Sequence, residues 1–161
     1  MQNIDLICIG KMNAAYFAAG VAEYQKRLGA FCSFRIVELP EVQIADKNAS
    51  DKQIAKALQK EGEAILASVR KGAYIVALCV EGKQISSEEL AAMIADRAMS
   101  GAGDMAFVIG SSHGLDDSVK RAAQARISLG RITLPHQLAR LVLTEQLYRA
   151  CTINAGMKYH K

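Results

Sequence analysis

The sequence predicts an α/β fold, a mainly parallel sheet with helices on both faces. Three observations carry that prediction. Short β-branched apolar runs recur along the chain, amphipathic segments with helix-cap residues separate them, and the runs are apolar on consecutive residues, as strands covered on both faces are. At 161 residues the chain suffices for one domain with its own core, and a single domain over residues 1–161 is expected.

Ile4, Leu6, Ile7, Cys8 and Ile9, closed by Gly10, read as a buried strand. A helix over residues 14–27 follows, with Tyr16, Phe17, Ala19, Val21 and Tyr24 available for its inner side and Gly29 as its stop. Residues 34–39 form a second strand ended by Pro40, and the polar stretch 41–49 reads as a mobile loop. Ser50, with Gln53 three positions on, opens a long helix toward Arg70 in which Gly62 is a weak point. The apolar run 74–80 is the third strand. Ser86 and Glu89 make a second capping box, before a helix carrying Leu90, Met93, Ile94 and Ala98. Residues 105–109 form a strand that opens into Gly110. A short helix from Asp116, a strand at 126–129 and a periodic helix over 136–153 complete the chain.

Composition excludes more than it assigns. No apolar run approaches the roughly 20 residues that span a bilayer, and the first ten residues lack a leader pattern, so no membrane and a cytoplasmic location are expected. Cys8, Cys32, Cys79 and Cys151 contain no CxxC pair, and His113, His136 and His160 are dispersed, so reduced packing thiols and no metal are expected. The net charge of +4 is compatible with a polyanionic partner without requiring one. There is no GxGxxG after the first strand and no GxxxxGK[ST] loop, which argues against dehydrogenase and P-loop functions.

In open α/β sheets, ligands bind beyond the carboxyl ends of the strands, here after Leu78, Ile109 and Leu129. The glycines at 110, 114 and 130 let a ring or ribose approach main-chain groups directly, which suits an adenosine-containing ligand. A strand-to-helix turn alone also accounts for Gly110 and Gly114. On the last helix Leu138, Leu141, Val142, Glu145 and Arg149 share a stripe. Arg149 is therefore either paired with Glu145 or held ready for RNA. The tail 156–161 frays on composition alone, yet Tyr159 can stack on a base and His160 can move a proton near neutral pH.

Phe107-Val108-Ile109-Gly110, Gly114-Leu115, Ser128-Leu129 through Thr133, Pro135-His136-Gln137, residues 145–150 (EQLYRA) and terminal Tyr159-His160-Lys161 occur in an order and spacing that resemble one family. It is the RlmH family of ribosomal RNA methyltransferases. The resemblance covers essentially the whole chain. It implies a SPOUT fold with a C-terminal trefoil knot and a homodimer with active sites at the interface. It also implies S-adenosylmethionine as methyl donor and large-subunit rRNA within the ribosome as partner, the target being N3 of a pseudouridine in helix 69. The donor residues it implies are Leu78, Gly110, Ser128, Leu129, Gly130, Arg131, Ile132 and Thr133; the substrate and catalytic residues are Arg149, Tyr159 and His160. The chain departs from the family pattern at Ser111, where a second glycine is common, and at Gly130-Arg131, in place of a serine-containing pair. A non-catalytic ribosome-binding or assembly module, or a SPOUT methyltransferase acting on tRNA, are the alternatives. Donor binding and the RNA methylated separate the three.

Overall fold

A computed structural model describes residues 1–45 and 47–161. The elements are β1 (Asn3–Ile9), α1 (Ala15–Leu28), β2 (Ser33–Leu39), α2 (Asp51–Ser68), β3 (Tyr74–Gln84), α3 (Ser87–Met99), β4 (Met105–Ile109), α4 (Asp117–Ala122), β5 (Ala125–Ser128) and α5 (His136–Asn154). The sheet order is β2-β1-β4-β3-β5, and every pairing is parallel. The connection at 41–49 is irregular where described; its Asp46 lies outside the described residues. Among those residues no helix is long and apolar enough to cross a membrane.

Strand alternation sorts the core into two layers. Ile4, Leu6 and Cys8 of β1 and Phe107 and Ile109 of β4 pack with Leu28 of α1, Leu90 and Ile94 of α3, and Leu143 and Leu147 of α5. Ile7, Ile9, Ala106 and Val108 face the other way, onto Ile65 of α2, Val119 of α4 and Leu115 just before α4. Successive strand residues point to opposite faces, so a strand apolar at every position requires helices on both. Both expected capping boxes are present, at Ser50–Gln53 and Ser86–Glu89.

Four details differ from the sequence reading. Tyr16 is 73% exposed and Ala19 is exposed, because α1 buries only the side carrying Val21 and Leu28 against the core. β3 continues past Val80 to Gln84: it pairs with Ile127 at Leu78, bulges through the next four positions, and pairs with Ile127 again at Lys83. A Cβ at Gly82 would lie 2.4 Å from the Ile127 carbonyl carbon, so only glycine admits the second pairing. α2 ends at Ser68 rather than Arg70, and Arg70 instead reaches the buried Asp5 with Nε at 3.0 Å. Gly62 is buried against α4 rather than being a gap in the helix.

α5 is clamped to the first half of the chain by polar contacts. Arg140 is 2% exposed; its Nη1 meets Glu38 Oε2 at 2.5 Å and its Nη2 donates to the Gly10 carbonyl at 3.0 Å. The N-cap of α1, Ala14, has no capping side chain, and Gln137 Oε1 accepts from the Asn13 and Ala14 amides instead. The four cysteines are free thiols; burial pushes Cys8 up to about 12, which keeps it protonated and inert.

Candidate active site

The carboxyl ends of β3, β4 and β5 open into one cleft of about 340 Å³, lined by Leu78, Gly110 and residues 128–134 together with Ser111, Gly114, Lys120, His136 and Ala139. That volume lies within the range of small-molecule sites. Each of its loops is built around a local constraint. Gly114 donates its amide to the Ser111 carbonyl at 2.9 Å, and its φ of +92° needs glycine. A Cβ at Gly110 would sit 2.2 Å from the Gly114 carbonyl oxygen. The turn after β5 is held by Ser128, whose hydroxyl donates to the Gly130 carbonyl at 2.9 Å and accepts from the Gly130 amide at 3.2 Å, with φ +130° at Gly130. Ile132, 82% exposed, stands on the rim.

Among the described lining residues Glu81 is the one carboxylate. The β3 bulge carries it outward, where it meets Lys120 of α4 at 2.6 Å. The bond holds the Glu81 carboxyl below its ordinary range and the Lys120 ammonium above its own. Sequence spacing gave no sign of this pair, because residues 81 and 120 meet only through the β3–β5 pairing and α4.

The tail is ordered, contrary to what its composition implies. After α5 the chain turns at Gly156 (φ +69°), and the Met157 amide donates to the Thr152 carbonyl at 2.9 Å. Tyr159 then stands edge-on to Tyr148, with centroids 4.8 Å apart, and donates its hydroxyl to Glu145 Oε1 at 3.0 Å. Arg149 meets the same oxygen at 2.5 Å, and its guanidinium carbon lies 4.7 Å from the Tyr159 ring centroid. Burial, Tyr24 and Glu145 all raise the Tyr159 phenol, so it stays a donor. Both readings of Arg149 are thus compatible with its position: it is paired with Glu145, and it is also only half-buried.

His160 Nδ1 lies 3.3 Å from Arg149 Nη1, and its Nε2 lies 2.7 Å from Glu88 Oε1. A guanidinium has no acceptor, so Nδ1 accepts and Nε2 carries the proton toward Glu88. The contact lowers the Glu88 carboxyl. In this arrangement neither imidazole nitrogen is free for a substrate.

The structure therefore assembles two clusters and keeps them apart. Leu78, Gly110 and residues 128–133 share the cleft; Arg149, Tyr159 and His160 share the tail cluster. Ala139 lines the cleft, and Arg149 lies ten positions further along α5, about 15 Å at the helical rise. The stripe of Leu138, Leu141, Val142, Glu145 and Arg149 is the half-buried flank of α5, while Ala139, Leu143, Leu147 and Ala150 form its buried side. No group of His, Cys, Asp and Glu able to hold a metal ion occurs among the described residues.

A parallel α/β sheet with a glycine-built cleft at the carboxyl ends of its later strands fits the class of SPOUT methyltransferases, and residues 2–160 match the family described as "Predicted SPOUT methyltransferase". A probable methyltransferase from Bordetella pertussis shares the fold, with a TM-score of 0.55 at 17% identity over 92% of this chain and 93% of that one. The chain is 48% identical over 160 residues to ribosomal RNA large subunit methyltransferase H of Ligilactobacillus salivarius (strain UCC118), and 49% identical to that of Limosilactobacillus reuteri (strain DSM 20016). Each alignment covers 99% of this chain and 100% of the relative. The chain belongs to the ribosomal RNA large subunit methyltransferase H family, and with it to the SPOUT methyltransferases.

Proposed function

We propose that the protein transfers a methyl group from S-adenosylmethionine to large-subunit rRNA, at N3 of a pseudouridine in helix 69 of the assembled ribosome. The observation that carries the reading is the convergence of Leu78, Gly110 and residues 128–133 on one cleft, in a chain nearly half identical to large-subunit rRNA methyltransferases. The cleft suits the donor: closed glycine turns offer main-chain donors and acceptors to adenosine, and Leu129, Ile132 and Leu134 offer apolar surface. Glu81 and Lys120 at the mouth match the ammonium and carboxylate of the amino-acid end.

When bound, the donor supplies an electrophilic methyl group on its sulfonium. The chain's task is to orient the target nitrogen against it and to help that nitrogen lose its proton. Arg149 is a permanent cation, so it favours the anionic form of the base or fixes its phosphate; Tyr159, supported by Tyr148 and Glu145, positions the ring. His160 becomes a proton acceptor once the RNA draws Arg149 from Nδ1, with Glu88 holding the opposite nitrogen.

Because the cleft and the tail cluster are about 15 Å apart along α5 in one chain, the working site combines the cleft of one protomer with the tail of its partner in a homodimer. The first test is calorimetric titration of S-adenosylmethionine into the protein. Saturable binding is expected; its absence would leave only the non-catalytic reading, and methylation of free tRNA in place of ribosomes would redirect the substrate assignment.

A further inference from the structure

Ser111 lines the cleft, and its hydroxyl is turned toward α2. It donates to Glu61 Oε1 at 2.9 Å, while Glu61 Oε2 accepts from the Val42 amide at 3.0 Å. We propose that Glu61 is a positioning residue for donor binding, a buried latch on α2 that holds the turn at residues 110–114 in the shape the cleft requires. The proposal rests on reading that cleft as the donor site.

Glu61 is 4% exposed, and Ser111 is 7% exposed. A carboxyl group at that depth must be paired, and the partners found for it are a loop hydroxyl and a loop amide rather than a cation. The neighbouring glycine explains how α2 comes close enough. A Cβ at Gly62 would lie 3.0 Å from Asp116 Cβ and 3.1 Å from Ser118 Oγ, so glycine there lets α2 lie against the start of α4. Glu61, one position earlier, then falls beneath the turn.

Ser111 is consequently held twice. Its carbonyl accepts the Gly114 amide, closing the turn, and its side chain fastens that turn to α2. The cleft wall formed by residues 110–114 thereby depends on a residue that does not itself line the cleft. The other carboxyl oxygen ties in the chain just after β2, so one side chain joins three separate segments. Loss of a packing residue would lower stability alone; loss of a latch must also change the turn and what it binds.

The test is hydrogen exchange at the amides of residues 112–114 together with calorimetric titration of S-adenosylmethionine, for Glu61→Ala, Glu61→Gln and Ser111→Ala. Glu61→Ala leaves the Ser111 hydroxyl and Val42 amide without their acceptor. It is expected to speed exchange at 112–114 and weaken donor binding by about tenfold, the scale of one charge-assisted hydrogen bond. Glu61→Gln retains both contacts, because a serine hydroxyl accepts as well as it donates, and is expected to stay near wild type. Ser111→Ala should show the same exchange change, and combining it with Glu61→Ala should add little. If Glu61→Ala does not fold, Ser111→Ala and Glu61→Gln decide the matter. Unchanged exchange or unchanged donor affinity in a folded variant lacking the bond overturns the latch, as does a loss in Glu61→Gln equal to that in Glu61→Ala. Failure of the wild type to bind S-adenosylmethionine overturns the donor-site reading instead, and the exchange data still judge the latch.

Discussion

Arg149→Ala is expected to lower single-turnover methyl transfer by about 100- to 1,000-fold, the cost of removing one preorganised charge from an active site. Donor affinity should change little, since Arg149 is assigned to the RNA base or its phosphate rather than to the donor. The variant should remain folded. The side chain is half-buried on a flank of α5, alanine is the best helix former, and the lost bond to Glu145 is worth about 1 kcal/mol or less. Arg149→Lys keeps the charge but cannot reach Glu145 and His160 together as the planar fork does, so an intermediate rate is expected. Radiolabelled methyl transfer to ribosomes under single-turnover conditions measures each. Near wild-type rates in Arg149→Ala would remove it from the mechanism.

Gly110→Ala should lose donor binding by about 100-fold or more, on the order of 3 kcal/mol for a side chain forced against fixed atoms. The added methyl would lie 2.2 Å from the Gly114 oxygen and 2.6 Å from its carbonyl carbon, and neither is the end of a flexible side chain. The turn must open, and the Ser111–Gly114 bridge opens with it. Calorimetric titration measures the loss; an affinity within about threefold of wild type would mean that the turn does not bound the donor. The two variants also test the shared site. Mixed protomers of Gly110→Ala and Arg149→Ala pair at random, and about one quarter of sites then combine an intact cleft with an intact partner tail. Recovery of activity on mixing supports a site in trans, whereas no recovery places cleft and tail in one chain.

What the sequence made legible was local. Ser50 with Gln53 and Ser86 with Glu89 announce their helices because each box is closed within four residues. β4 could be read to its last residue, because a run apolar at every position ends at Gly110. The extension of β3 could not be read, since it depends on a second pairing with Ile127. Nothing near Arg140 in the sequence marks it as buried, because its partner Glu38 lies 102 positions earlier. Glu61 was likewise hidden, its partner Ser111 lying 50 residues away. The tail was misjudged from its composition because Tyr159 and His160 gain their order from Glu145, Tyr148 and Glu88, and none of those contacts leaves a periodic trace. The chemistry assigned to each cluster came from the order of motifs along the chain; the separation of the clusters came from the structure.

The most direct measurement is mass spectrometry of rRNA from ribosomes of a strain lacking the protein, before and after incubation with the purified protein and isotopically labelled S-adenosylmethionine. The account predicts one labelled methyl group, on N3 of a pseudouridine in helix 69 of the large subunit, absent beforehand and restored by the wild type but not by Arg149→Ala. A pseudouridine already methylated without the protein, or label appearing in free tRNA and not in ribosomes, would contradict it.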